Sequence, residues 1–303
     1  MDGVAPSIAR TNRSADRRRT HSESATYAST GGIVGALLQT SSQQTWLWIG
    51  TIGMAIGAIA ILSLGRGLGR HAHHAVASFF VCAIAACLYL LMAQGQGDVV
   101  VSNAKIAITP QGFAGMGDVR LVYFARYIDW VITTPLLLIG LLGIGLAAVK
   151  ESGEAVRART GLVAGVIGAD ILMIITGLFG ALSLDDGHKY TWFVVSCLFF
   201  VGVLVVIWGP VRSAAAAQGG ATAALYGRLL GILTVLWFIY PVLWILGTEG
   251  TATVSLNTEV AVFTVIDLLA KVGFGLVLVT GVRHLRAHRA TERPIEPAVA
   301  TAG

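Results

Sequence analysis

Seven apolar blocks, at roughly residues 45–65, 75–95, 121–149, 160–183, 190–210, 226–247 and 259–282, dominate the chain. Each is close to or above the ~20 residues an α-helix needs to cross the hydrocarbon core of a bilayer. Only segments that satisfy their own backbone hydrogen bonds survive there, so repeated blocks of this length leave few folds besides a helical bundle. Composition agrees, with 55% hydrophobic and 12% charged residues and a mean hydropathy of +0.75, values foreign to a soluble domain. The expected fold is an all-α membrane protein, a bundle of seven transmembrane helices over residues 45–285. A polar, disordered tail is expected over 1–44 and a polar tail over 286–303.

Charge placement sets the orientation. Arg66, Arg70, Lys150, Arg157, Arg159, Arg212, Arg228, Arg283, Arg286, Arg289 and Arg293 follow spans one, three, five and seven, whereas only Lys105, Arg120 and Lys189 follow spans two, four and six. Positive loops stay in the cytoplasm, which predicts the N-terminus outside and the C-terminus inside. Arg17, Arg18 and Arg19 oppose this but lie too far from the first span to weigh heavily. The same bias accounts for the net charge of +5, so no nucleic-acid partner is implied. Cys82, Cys87 and Cys197 all fall inside apolar blocks and read as core residues. The second connection, around Thr109-Pro110, is long and rich in Val, Thr and Gly, which predicts a short β-hairpin. Other loops are short, so successive helices should be antiparallel neighbours.

Ionisable groups in hydrocarbon are costly, which makes each one a functional candidate. They are Arg126 and Asp129 in span three, Asp170 in span four, and Asp267 and Lys271 in span seven. Asp267 and Lys271, four apart, share a helix face. A buried ion pair that staples helices is one reading. The other is an imine with an aldehyde, because desolvation favours the neutral, nucleophilic form of lysine. Arg126, Asp129 and Thr133 also share a face, placing a cation, a carboxylate and a hydroxyl in line along the membrane normal. Trp237, Tyr240 and Trp244 form an aromatic stripe on span six, which suits plain core or the wall of a slot for a long apolar ligand.

Three stretches settle on a family: Arg126-Tyr127-Ile128-Asp129-Trp130 through Thr133-Thr134-Pro135 to Leu138, Trp237 through Gly250, and Asp267 through Lys271 to Gly275. They resemble the third, sixth and seventh helices of the bacteriorhodopsin-type microbial rhodopsins, and the likeness extends over all seven spans. That resemblance implies all-trans retinal on Lys271, counterions Asp129 and Asp267, a gating Arg126 with Thr133 beside it, and Glu249 and Glu259 as a proton-release pair. It implies a retinal pocket of Tyr89, Trp130, Thr134, Leu137, Met173, Gly177, Ser196, Phe200, Trp237, Tyr240, Pro241 and Trp244. Asp170 matches a structural aspartate hydrogen-bonded to Thr134. The implied partners are retinal, protons, the lipid bilayer and further copies of the chain, and the implied location is the plasma membrane.

Within that family Asp129 argues against an anion pump, and span three lacks the Asn-Asp-Gln pattern of sodium pumps. A light-driven outward proton pump, and not an enzyme, is expected. One position departs: Gly140, about 16 Å inward of Asp129, stands where pumps commonly hold a carboxylic proton donor. Reprotonation from cytoplasmic water is the reading taken, with His74, one turn before Ser78, as the competing donor and a cluster of His71, His73 and His74 as an ordinary solvated loop. A slow-cycling sensory photoreceptor is the alternative function. The expected tail carries no transducer domain, and the Glu249–Glu259 pair favours pumping.

Overall fold

The computed structural model describes residues 39–102, 107–109, 112–114, 119–147 and 153–291. Among them, seven helices are long and apolar enough to cross a membrane: Ser41–Leu64, Gly69–Ala93, Phe124–Gly145, Ala155–Leu182, Asp186–Ala216, Gly220–Leu246 and Leu256–His288, here spans one to seven. All seven predicted blocks are helices. Most of the two expected tails, 1–38 and 292–303, lies outside the described residues.

Both ends of the bundle extend past their apolar blocks, for local reasons. Span one starts at Ser41 because Thr40 and Gln43 form a reciprocal capping box that satisfies free amide hydrogens. Gln44 Nε2 then donates to Ala93 O at 3.1 Å, tying this polar turn to the end of span two. The last helix continues to Thr291. Its basic turn is useful there: Arg283 donates to Leu64 O at 2.8 Å and Arg286 to Gly67 O at 2.6 Å, satisfying carbonyls in the loop after span one.

The connection between spans two and three contains strands β1 (Val99–Ser102), β2 (Ala107–Thr109), β3 (Gly112–Ala114) and β4 (Val119–Val122). β2 and β3 pair antiparallel with Thr109 opposite Gly112, which is the predicted hairpin; Pro110 lies outside the described residues. β1 pairs with β4 from Val99↔Val122 to Ser102↔Val119, an outer ladder not foreseen. Val101, Val122 and Tyr127 join the core beneath it.

Each span packs on the next, and span seven returns to span one. The return is close because span one carries glycines on its inner face. A side chain at Gly53 would meet Leu268 at 2.7 Å and one at Gly57 would strike Val272, while one at Gly50 would strike the Tyr89 ring of span two. Two spans contain a π turn. At Ile207–Val211 the cause is Pro210, which lacks an amide hydrogen and cannot continue a regular helix. The other, Leu269–Gly273, contains Lys271 and has no proline.

Candidate functional site

Span three is the most enclosed helix, and its interior face presents Arg126, Asp129 and Thr133, with Asp129 and Thr133 fully buried. Thr133 Oγ1 donates to Asp129 O at 2.8 Å, returning its hydroxyl to its own helix. Thr134 Oγ1 lies within 2.7 Å of both Trp130 O and Asp170 Oδ2, so Asp170 joins spans three and four.

From the opposite wall, Lys271 Nζ donates to Asp129 Oδ2 at 2.7 Å and pairs with Asp267 Oδ1 at 3.0 Å. One cation thus stands between two carboxylates, all three buried in an interior where such charges persist only when paired. The carboxylates differ. Asp267 accepts from Tyr89 OH at 2.7 Å, Trp130 Nε1 at 3.3 Å and Tyr240 OH at 2.5 Å. Asp129 Oδ1 has no partner among the described residues. Three neutral donors occupy Asp267, leaving Asp129 as the carboxylate with an open oxygen.

The lysine lines an apolar cavity of about 820 Å³, mouth included. Trp130, Thr134, Leu137, Met173, Gly177, Ser196, Phe200, Trp237, Tyr240, Pro241 and Trp244 line it together with Lys271. Tyr89, expected among them, is not a wall residue: its ring fills the notch at Gly50 and its hydroxyl backs Asp267. Tyr127, Ile174, Phe193, Cys197, Phe263 and Ala270 also line the cavity and were missed. Helical spacing held a signal for several: Phe193 and Cys197 share a face with Phe200, and Phe263 and Ala270 share one with Asp267.

Toward the N-terminal end of the bundle, Arg126 Nη1 pairs with Glu259 Oε1 at 3.3 Å. Glu259 Oε2 accepts from Thr248 N and Thr248 Oγ1, each at 2.9 Å. Glu249 is only 4% exposed, so neither acid is the solvated loop charge that its position in sequence would allow. Burial first, and then the neighbouring Glu259, push the Glu249 carboxyl up to about 8, while Arg126 pulls the other way. Trp244 Nε1 donates to Tyr127 OH at 3.1 Å, closing the cavity beneath this cluster.

The opposite end is apolar around Gly140, where an added Cβ would meet Leu278 at 3.0 Å and Phe274 at 3.9 Å. One turn along, a Cβ on Gly143 would lie 3.0 Å from the imidazole of His74. His74 is 4% exposed and its ring lies 4.1 Å from that of the exposed His73. The solvated-loop reading of the histidine cluster therefore fails for His74, because the start of span two turns it inward against the glycine surface of span three.

A seven-span bundle whose buried lysine lines an aromatic cavity and faces two aspartates defines a retinal-binding membrane protein. The chain belongs to the bacteriorhodopsin-like protein family, whose model matches residues 41–285. It is 37% identical over 261 residues to bacteriorhodopsin of Haloterrigena sp. (strain arg-4), covering 85% of this chain and 93% of that one. Among solved structures it is similar to thermophilic rhodopsin from Rubrobacter xylanophilus (36% identity, TM-score 0.67, 80% of this chain and 97% of that one). It is similar also to a light-driven proton pump, the rhodopsin of Coccomyxa subellipsoidea (33% identity, TM-score 0.68, 80% and 97%). The chain is accordingly a type 1 rhodopsin, a multi-pass protein of the plasma membrane that binds retinal covalently through a lysine, and not an enzyme. Its residues fit that group: the cavity is apolar along its length, a lysine lines it, and an unpaired buried carboxylate oxygen lies beside the amine.

Proposed function

We propose that the chain is a light-driven outward proton pump, with retinal on Lys271 and with Asp129 accepting the transported proton. The observation that carries this reading is the 2.7 Å contact from Lys271 Nζ to Asp129 Oδ2, with Asp129 Oδ1 free of partners among the described residues. Lys271 would hold retinal, which when bound would supply a light-driven change in the proton affinity of the Lys271 nitrogen. Asp129 is within direct transfer distance of that nitrogen, whereas Asp267 is occupied by three donors and stays as the fixed counter-charge. Protonation of Asp129 removes negative charge on the inner side of Arg126, which favours movement of the guanidinium outward toward the Glu249–Glu259 pair, and the nearer cation weakens that pair's hold on its proton and releases it. Positive-inside bias places that pair outside, with the N-terminus. Names of similar proteins agree in kind, since one solved relative is described as a light-driven proton pump.

Uptake then comes from the Gly140 side. His74, packed against Gly143 on that side, is taken as the neutral relay that passes protons inward from cytoplasmic water. One observation favours a slow-cycling sensory photoreceptor instead: the surroundings of Gly140 are Leu278 and Phe274, with no carboxyl to speed recovery. Self-association in the bilayer belongs to the same proposal, and chemical crosslinking in native membranes checks it. The deciding experiment is illumination of unbuffered, retinal-loaded cells while external pH is recorded. Acidification abolished by a protonophore is expected. An intact photocycle with no pH change would establish the sensory reading.

A further inference from the structure

Among the described residues Arg126 has one ion pair, the 3.3 Å contact to Glu259, and its guanidinium is otherwise held between two aromatic faces. The Tyr123 ring lies 4.8 Å from it and the Phe263 ring 4.6 Å, both within cation–π range. Phe263 is fixed by packing against Trp130 and Tyr240. Tyr123 is fixed by hydrogen bonds: Gln39 Nε2 donates to its hydroxyl at 3.3 Å, and the hydroxyl donates to Gln43 Oε1 at 3.2 Å. Gln43 Nε2 in turn donates to Asn257 Oδ1 at 2.6 Å, which also accepts from Thr40 Oγ1 at 2.8 Å. The polar turn that starts span one and the first turn of span seven thus clamp one tyrosine. Tyr123 and Gln43 are 1% and 3% exposed, so this bridge is interior and not surface decoration.

We propose that Tyr123, locked by Gln43 and Asn257, is a positioning residue that keeps the Arg126 cation turned toward the Glu249–Glu259 pair. The inference rests on the proposed role of those groups as the exit side of the pump. Its physical content is electrostatic. Glu249 is faced by Glu259, Arg126 and Tyr127, and Arg126 by Glu259, Glu249, Tyr89 and Tyr123, with Asp98 beyond Tyr123. Arg126 is the one cation in that group, and its distance from Glu249 governs how firmly the acid holds its proton. A loosened slot lets the guanidinium leave, and Glu249 then binds its proton more tightly.

The test is an infrared pH titration of the dark, retinal-bound protein, following the protonated-carboxyl band that Glu249→Gln removes. Tyr123→Leu, which deletes the aromatic face, should move the midpoint upward by roughly one unit or more. Tyr123→Phe, which keeps the face and loses the bridge, and Gln43→Met, which removes the acceptor of the hydroxyl and its link to Asn257, should each move it less and in the same direction. A wild-type midpoint in Tyr123→Leu overturns the proposal, as does a Tyr123→Phe midpoint displaced as far as that of Tyr123→Leu. If Tyr123→Leu does not assemble, Gln43→Met alone decides: an unmoved midpoint there overturns the lock. The band is read in the dark, so failure of the pump reading, seen as absent acidification, is a separate result.

Discussion

Lys271, Asp129 and Asp267 form a triad with one negative charge in excess, and the two acids are set apart only by their remaining contacts. Lys271→Ala should leave an assembled apoprotein without visible absorbance, since no amine remains for the imine; a native visible band in that variant would contradict the attachment. Asp129→Asn should shift the band to the red, by removing negative charge near the cationic nitrogen, and abolish light-driven acidification. Glu249 makes a stability prediction. It keeps its proton up to about 8, against 4.5 for an ordinary glutamate. The native state then holds more protons than the unfolded chain between those values, so stability falls as pH rises through that window and is level above it. The loss is on the order of a few kcal/mol, and Glu249→Gln, which mimics the protonated acid, should flatten it. Thermal bleaching of the visible band across this range measures both. At this scale the spans' charges were legible because hydrocarbon makes any charge conspicuous. Glu249, Tyr123 and His74 were less so: each sits near a span end, where solvated residues of the same types are common, and only tertiary packing buries them.

Among the elements, spans three and two decide how a proton returns. Gly140 has room for a side chain at the cost of a slight shift of Leu278, whose Cδ2 would lie 3.0 Å from the new Cβ. Gly140→Asp should therefore be tolerated, and burial favours the neutral, donating form of the new acid. Recovery of the visible band after a flash should become faster and less dependent on pH than in wild type. His74→Ala should slow that recovery and make it fall as pH rises, with azide restoring speed. An unchanged recovery in His74→Ala would remove the histidine from the uptake route. The helices themselves were readable from their apolar length, but their ends and irregularities were not. The capping turn at Thr40 and the basic last turn reach beyond the apolar blocks because side-chain hydrogen bonds, not hydropathy, hold them. The π turn at Pro210 has a sequence cause, whereas the one containing Lys271 has none that a linear pattern reveals.

At the scale of the whole molecule, the bundle closes where span seven meets span one, and the fit depends on backbone approach at Gly53 and Gly57. Gly57→Val should cost about 1–3 kcal/mol by overpacking against Val272, read as a lower bleaching temperature. The number and order of spans followed from hydropathy, but the closure did not, because glycine in an apolar block gives no sign of which neighbour will use the space. That closure has a consequence for how the protein is made. Of the seven described spans, the notches lie in the first, and the residues that fill them, Leu268 and Val272, lie in the seventh. A nascent chain must therefore stay ajar in the translocon until its seventh span emerges, and that span also carries Lys271. Chains stalled before residue 256 should remain open to crosslinking by lipid at Gly53 and take up no chromophore, while a separately expressed fragment from 253 onward should restore colour. Chromophore capture and bundle closure thus wait for the seventh span and do not accompany the early ones.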